Sequence, residues 1–243
     1  MNDVDSNSLA ARLCGAQFPV VELFETVQGE GTAAGAPSLF VRVTGCNLRC
    51  WWCDSMFTSW RPERAAFSAK QVAAAVLGTR CGHVVFTGGE PTLYPQALSV
   101  LVDAVWRAGK LPTVETNGTR PDLQVAPWLW SVSPKLSSAA PEGGPERARH
   151  LAESAARPVD YAAFRARRTQ FKFVLASDSD VAEVDSVAAA NGLDPSTVWA
   201  MPEGVTREAV LERGVWLAEV CKARGWNLCL RQHVLLWGNR RGV

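Results

Sequence analysis

The 243-residue chain has almost no net charge, since 25 lysines and arginines stand against 24 acidic residues for a formal balance of +1. It therefore lacks the basic excess that draws a protein to nucleic acid or to an anionic membrane. No apolar run is long enough to cross a bilayer, and Met1–Ser8 is polar and acidic, unlike a signal peptide. There is no internal repeat, which excludes stacked-repeat architectures. The seven cysteines include no second C-x2-C pair, so the four closed ligands of a structural zinc site are not in view. Cys14, Cys81, Cys221 and Cys229 are scattered and read as ordinary buried thiols of a reducing cytoplasm. What is present is 47% hydrophobic and 20% charged residues, enough chain for one large domain with a substantial core.

The informative segment is Gly45-Cys46-Asn47-Leu48-Arg49-Cys50-Trp51-Trp52-Cys53-Asp54, which sets three cysteines within eight residues at C-x3-C-x2-C spacing. Three thiolates so placed can hold a 4Fe–4S cluster and leave one iron without a protein ligand, free to bind a small molecule. The spacing resembles the signature of the radical S-adenosylmethionine (SAM) enzymes. In these, SAM chelates the open iron, and reduction of the cluster releases a 5′-deoxyadenosyl radical.

Along the chain, strand-like and helix-like runs alternate. Val20–Phe24, Ser38–Val43, His83–Thr87, Pro112–Thr116, Trp130–Ser133, Phe171–Leu175, Thr197–Met201 and Asn227 to about Leu236 read as strands. Period-2 alternation sets Arg42 on the face opposite Val41 and Val43. Helices are expected from Ser68 to Gly78, with Gln71 completing a capping box, and over 95–108, 180–190 and 206–224. This order predicts an α/β fold with a parallel sheet, a partial or modified (β/α) barrel whose site lies at the strands' C-terminal rim. Residues 1–17 read as a flexible extension and 18–243 as one catalytic domain. Within it 137–168, rich in Ala, Pro, Gly, Glu and Arg, reads as a variable helical insertion.

Thr26-Val27-Gln28-Gly29-Glu30-Gly31, the cysteine loop ending Cys53-Asp54-Ser55, Thr87-Gly88-Gly89-Glu90-Pro91, Glu115-Thr116-Asn117-Gly118, Ser133-Pro134-Lys135 and the terminal Leu235–Val243 occur in order over nearly the whole chain. Together they resemble the 7-carboxy-7-deazaguanine synthases, radical SAM enzymes of 7-deazapurine (queuosine-type) biosynthesis. The resemblance implies ring contraction of 6-carboxy-5,6,7,8-tetrahydropterin to 7-carboxy-7-deazaguanine with loss of ammonia. It implies a 4Fe–4S cluster on Cys46, Cys50 and Cys53. SAM would be held by Trp52, Cys53, Asp54, Gly89, Ser133, Pro134, Lys135, Met201, Pro202 and Glu203. A magnesium ion would sit on Ser55, where many members have threonine; serine keeps the hydroxyl.

For the substrate it implies Val27, Gln28, Gly29, Glu30, Thr87, Glu115, His233 and the Val243 carboxylate around the heterocycle. Arg42 would face the substrate carboxylate as a bidentate partner. His83 and His150 fall outside these motifs and read as structural or exposed. A homodimer is implied, with which the ten tryptophans are compatible, as is an electron donor such as flavodoxin or ferredoxin, with no direct nucleic-acid partner. Two other readings share some features. A glycyl-radical activase has the same cysteine spacing but does not need Arg42 or the Trp237–Val243 tail. A zinc or RNA-binding module would use Arg147, Arg149, Arg157, Arg165, Arg167 and Arg168, though interleaved acids and few aromatics favour a solvated insertion there.

Overall fold

The computed structural model describes residues 5–120 and 124–243. Helix α1 (Ser6–Cys14) comes first, its N-terminus capped by the Asp5 carboxylate, which accepts from the N–H groups of Asn7 and Ser8. Leu9, Ala10 and Leu13 are buried in the main core. Residues 6–14 are therefore not part of a flexible extension. Three apolar residues in one short helix give too brief a periodic signal to be read from sequence.

Eight strands follow in one sheet whose spatial order equals the chain order: β1 (Val20–Val27), β2 (Pro37–Val43), β3 (His83–Gly88), β4 (Leu111–Thr116), β5 (Leu129–Val132), β6 (Thr169–Leu175), β7 (Val198–Pro202) and β8 (Asn227–Leu228). The first pair is antiparallel and every later pair is parallel. β1 and β8 do not pair, so the sheet curls into a partial barrel and stays open. The α/β expectation holds. Short α2 (Met56–Ser59) ends the cysteine loop, and α3 (Ala69–Gly78) and α4 (Pro95–Arg107) cover the first strands. The Ser68–Gln71 capping box of α3 is present, a feature contributing on the order of 1 kcal/mol. After the insertion helices α5 (Gly144–Ala156) and α6 (Tyr161–Arg165) come α7 (Asp178–Asn191), α8 (Arg207–Arg224) and α9 (Gln232–Trp237).

Alternation along the strands separates two environments. Val41 and Val43 of β2, Val84 and Phe86 of β3, Val114 of β4, Trp130 and Val132 of β5, Phe171, Phe173 and Leu175 of β6, and Val198 and Ala200 of β7 join the core under the helices. Residues between them in sequence, including Arg42, Thr87, Glu115, Ser131 and Lys172, line the cavity inside the curl. A fully buried Phe or Leu contributes about 1.5–3 kcal/mol of transfer free energy, so the helix-facing side carries the stability.

Two regions need comment. The strand expected over Asn227 to Leu236 is confined to Asn227–Leu228, and Arg231 takes a left-handed conformation (φ 54°) that turns the chain into α9. Periodicity alone does not tell a short apolar strand from a helical turn. The 137–168 segment is helical without a strand, as expected. Its arginines are engaged locally: Arg147 with the Pro141 carbonyl, Arg165 with the Asn191 carbonyl, and Arg168 over the Trp128 ring at 4.2 Å. Among the described residues no helix is long and apolar enough to cross a membrane.

Candidate active site

The cysteine loop leaves β2 at the sheet's C-terminal rim and is fastened from several sides. The Trp51 N–H donates to the Ala139 carbonyl (3.1 Å), Trp51 Nε1 to Ser138 O (2.7 Å), and Trp60 Nε1 to Cys50 O (2.9 Å). Arg49 Nη1 donates to the carbonyls of Cys46 and Leu48, and the Arg49 N–H donates to His150 Nδ1, which gives that buried histidine a structural place. His83 packs on Trp128 away from the cavity.

Glu90, fully buried, ties three rim segments together. Its carboxylate accepts from Thr92, Thr116 and the Asn117 N–H (2.7 Å), and its own N–H donates to the Gly45 carbonyl. Gly88 has φ +121°, and a Cβ on Gly89 would collide with the Gly45 carbonyl. The close approach that this Gly-Gly pair permits is thus to the cysteine loop itself, while Gly89 also lines the cavity.

That cavity, about 260 Å³, is walled by Cys46, Cys50, Cys53 and residues of nearly every strand. Burial pushes the Cys46 thiol up to about 12 and the Cys50 thiol up to about 11, so the apo loop favours protonated thiols and a metal must displace those protons. Among the described residues no three His, Cys, Asp or Glu side chains converge on a single ion. Three thiols from one loop lining the cavity suit a cluster with a free position facing it. The donor set fits an iron–sulfur cluster. Of the other cysteines, Cys81, Cys221 and Cys229 are buried as expected, whereas Cys14 is exposed; all are free. Cys14 ends α1 on its solvent side, which corrects its expected burial.

Next to the cysteines, Trp52, Asp54, Ser133, Lys135 and Met201 line the same cavity. Lys135 Nζ donates to Ser133 Oγ (2.7 Å) and stands 5.4 Å from the Trp52 ring centre. Pro134, Pro202 and Glu203 are not brought to this wall. Pro202 closes β7, and the Glu203 carboxylate turns away to pair with Arg213 at 2.7 Å. Ser55 precedes α2 without capping it. Its Oγ instead accepts from Arg42 Nη1 (3.1 Å) and donates to Asp54 Oδ1 (3.0 Å), and it faces the cavity.

The same cavity carries a set of paired charges. Gln28 Nε2 donates to Glu115 Oε1 (3.3 Å), Thr87 Oγ1 donates to Glu115 Oε2 (2.7 Å), and the Glu30 N–H donates to Gln28 Oε1 (3.0 Å). Val27, Gly29 and His233 complete it. Two cations here were missed from sequence. Lys172 pairs with Glu30 at 2.7 Å and Glu115 at 3.3 Å, and Arg231 bridges Glu30 to Asp54 while donating to the Gly204 carbonyl. The alternation Phe171-Lys172-Phe173 was a usable signal for the first; none was available for Arg231. Burial opposes ionisation of Glu30, but the charges of Lys172 and Arg231 hold it well below the usual carboxylate range.

Arg42 enters from β2 with its Nε 2.8 Å from Glu22 Oε2. Glu22 also receives Arg241 (2.8 Å), whose guanidinium pairs with Glu63 and stacks 3.5 Å from the Phe57 ring centre. These contacts fold the tail over the mouth, so that residues from Gly238 to Val243 line the cavity.

An open β/α sheet with a three-cysteine loop at its rim defines a radical SAM protein, and the family description "Radical SAM superfamily" matches residues 40–162. The chain is 40% identical to the 7-carboxy-7-deazaguanine synthase of Halobacterium salinarum over 93% of its own length and 92% of the relative's. It is 35% identical to that of Rhodopirellula baltica over 96% and 91%. In structure it is similar to QueE from Escherichia coli (TM-score 0.64, 24% identity, 93% of this chain and 98% of the other), a likeness of fold. The chain belongs to the 7-carboxy-7-deazaguanine synthase family.

Proposed function

We propose that this protein converts 6-carboxy-5,6,7,8-tetrahydropterin to 7-carboxy-7-deazaguanine with release of ammonia, as the name of its relatives describes for the product. The observation that carries the reading is one cavity in which the three-cysteine loop faces both a guanidinium, Arg42, and an acceptor wall built from Glu30 and Glu115. Cys46, Cys50 and Cys53 would hold the cluster, and Trp52, Asp54, Gly89, Ser133, Lys135 and Met201 would surround SAM. When bound, the cluster and SAM supply one-electron reduction and hydrogen-atom abstraction.

The chain's own residues place the substrate. Arg42 is braced through Nε by Glu22 and keeps its Nη edge toward the cavity, where a carboxylate can replace the Ser55 hydroxyl as acceptor. Glu30, Glu115, Gln28, Thr87 and His233 meet the N–H edge of the aminopyrimidinone, with Val243 of the tail lining the same cavity. The Ser55 Oγ would be the protein's magnesium ligand; a single hydroxyl suits an ion that keeps waters and substrate oxygens.

A small-molecule substrate fits this enclosed site. The partner in electron supply is an external one-electron donor of the flavodoxin or ferredoxin class, consistent with Trp51, 48% exposed beside Cys50. Exposed Leu236 and Trp237 on α9 support a homodimer. The absence of disulfides among the free cysteines and the oxygen sensitivity of such clusters support a cytoplasmic setting. The test is anaerobic incubation of the reconstituted protein with the tetrahydropterin, SAM, Mg²⁺ and a reductant. The expected result is 7-carboxy-7-deazaguanine and ammonia in equal amounts; SAM cleavage without either product contradicts the reading.

A further inference from the structure

Lys172 stands in the middle of β6 with 3% of its surface exposed, on the cavity side of the strand. An ammonium at such a depth is costly unless opposite charge and hydrogen bonds meet it. Here they do, since Nζ is 2.7 Å from Glu30 Oε2 and 3.3 Å from Glu115 Oε1. The two carboxylates come from distant parts of the chain, the turn after β1 and the end of β4. Without a cation between them they would repel one another or take up a proton.

The hydrogen-bond inventory shows what the pairing leaves available. An ionised carboxylate offers about four lone-pair sites and no donor. Glu115 receives Gln28, Lys172 and Thr87, and Glu30 receives Lys172 and Arg231. Each therefore keeps acceptor capacity toward the cavity, and neither presents a hydrogen.

Resting on the reading that the cavity takes a pterin, we propose that Lys172 is a positioning and specificity-determining residue. It holds Glu30 and Glu115 as two ionised, acceptor-only groups, so that the wall admits a heterocycle edge made of N–H donors and rejects one that presents an oxygen. The charged and titratable groups facing Glu30 are Lys172, Arg231, His233 and Asp54; those facing Glu115 are Lys172 and His233, with Gln28 and Thr87 as neutral donors. Cys229 lies beside Lys172, and burial keeps that thiol protonated, up at about 11. Burial also depresses His233 below its ordinary value, which leaves it neutral near pH 7. Burial alone would deprotonate Lys172, but the charges of Glu115 and Glu30 raise it above the ordinary lysine value.

The experiment measures binding of two stable probes to the reconstituted protein: 6-carboxypterin, with its 2-amino group, and 6-carboxylumazine, with an oxygen in that place. The parent is expected to favour the pterin by at least about tenfold, because the lumazine loses donors and sets oxygen against carboxylate. Its pterin affinity is expected to stay level from about pH 7.5 to about pH 5.5, with Glu30 held ionised by Lys172 and Arg231. In Lys172→Met one carboxyl takes up a proton and becomes a donor. Selectivity should fall toward parity, and pterin affinity should decline as pH falls through the raised carboxylate value. Lys172→Arg, which restores the charge, should recover selectivity, with cluster content and SAM binding unchanged in both variants.

A Lys172→Met protein with the parent's selectivity and pH profile overturns the proposal while leaving the functional reading intact. A parent that binds neither probe overturns both. Should Lys172→Met fail to fold, the parent and Lys172→Arg decide: a parent that binds both probes alike, or a Lys172→Arg protein without selectivity, overturns the proposal, and selectivity in both supports it.

Discussion

Along β6, Phe171, Phe173 and Leu175 meet the helices, while Gln170, Lys172 and Val174 face the other way. The same division runs through β2, where Val41 and Val43 oppose Arg42, and through β3, where Val84 and Phe86 oppose Thr87. One side is apolar and interlocked, and its energetics are additive burial. The other side is a set of mutual ion pairs whose members would be unfavourable alone. The comparison teaches that this sheet separates stability from recognition by parity along each strand, so substitutions one residue apart should have unlike consequences.

The strongest way to sharpen that contrast lies on the rim. If the loop thiols hold the cofactor, Cys46→Ala, Cys50→Ala or Cys53→Ala should abolish both activity and stable iron content while leaving the fold, since they lie outside the main core; Cys81→Ser should retain iron. Iron and sulfide analysis of anaerobic preparations decides it, and retained iron in a Cys50→Ala protein would remove that residue from the cluster. On the helix-facing side, Phe173→Ala should lower unfolding free energy by about 3–5 kcal/mol, read from urea denaturation. A loss below about 1 kcal/mol would mean the site collapses freely and that the division is weaker than described.

A smaller effect is expected at the tail. Arg241 joins Glu22 and Glu63 and stacks on Phe57 at a half-exposed position, where each contact is individually weak. Arg241→Ala should weaken pterin binding by no more than about tenfold and expose the tail to carboxypeptidase. Unchanged resistance to digestion would show that Arg241 does not fasten it. The smallest effect belongs to Ser55→Thr, which keeps the oxygen and should match the parent, whereas Ser55→Ala should raise the Mg²⁺ concentration needed for half-maximal turnover. Identical metal titrations for the Ala and Thr variants would take the ion away from Ser55.

Much of this arrangement was legible before the structure. Cysteine spacing identified the loop, the capping box identified α3, and alternation set Arg42 on the cavity side. What was not legible has definite physical reasons. Alternation with Phe171 and Phe173 could place Lys172 on the cavity side, but its partners Glu30 and Glu115 are 142 and 57 residues away, so the pairing itself was hidden. Arg231 depends on a left-handed backbone turn that no glycine announces. The Gly88–Gly89 pair pointed to close approach, but sequence could not say that the neighbour is the Gly45 carbonyl. Pro134, Pro202 and Glu203 followed from motif position alone, and strand ends point some of their residues away from a cavity.

Arg42 lets the central claim be tested directly, that the cavity face binds the carboxylated pterin independently of the core. The measurement is the thermal unfolding midpoint of parent and Arg42→Ala, each with and without 6-carboxypterin. At a hundredfold excess over the dissociation constant, ligand should stabilise the parent by about 2.7 kcal/mol, a shift of several degrees for a chain this long. Loss of a charge-assisted bidentate contact weakens binding by roughly ten- to hundredfold. Arg42→Ala should therefore keep the ligand-free midpoint and lose at least about half of the ligand-induced rise. An equal rise in both proteins, or a variant already unfolded without ligand, would contradict the account.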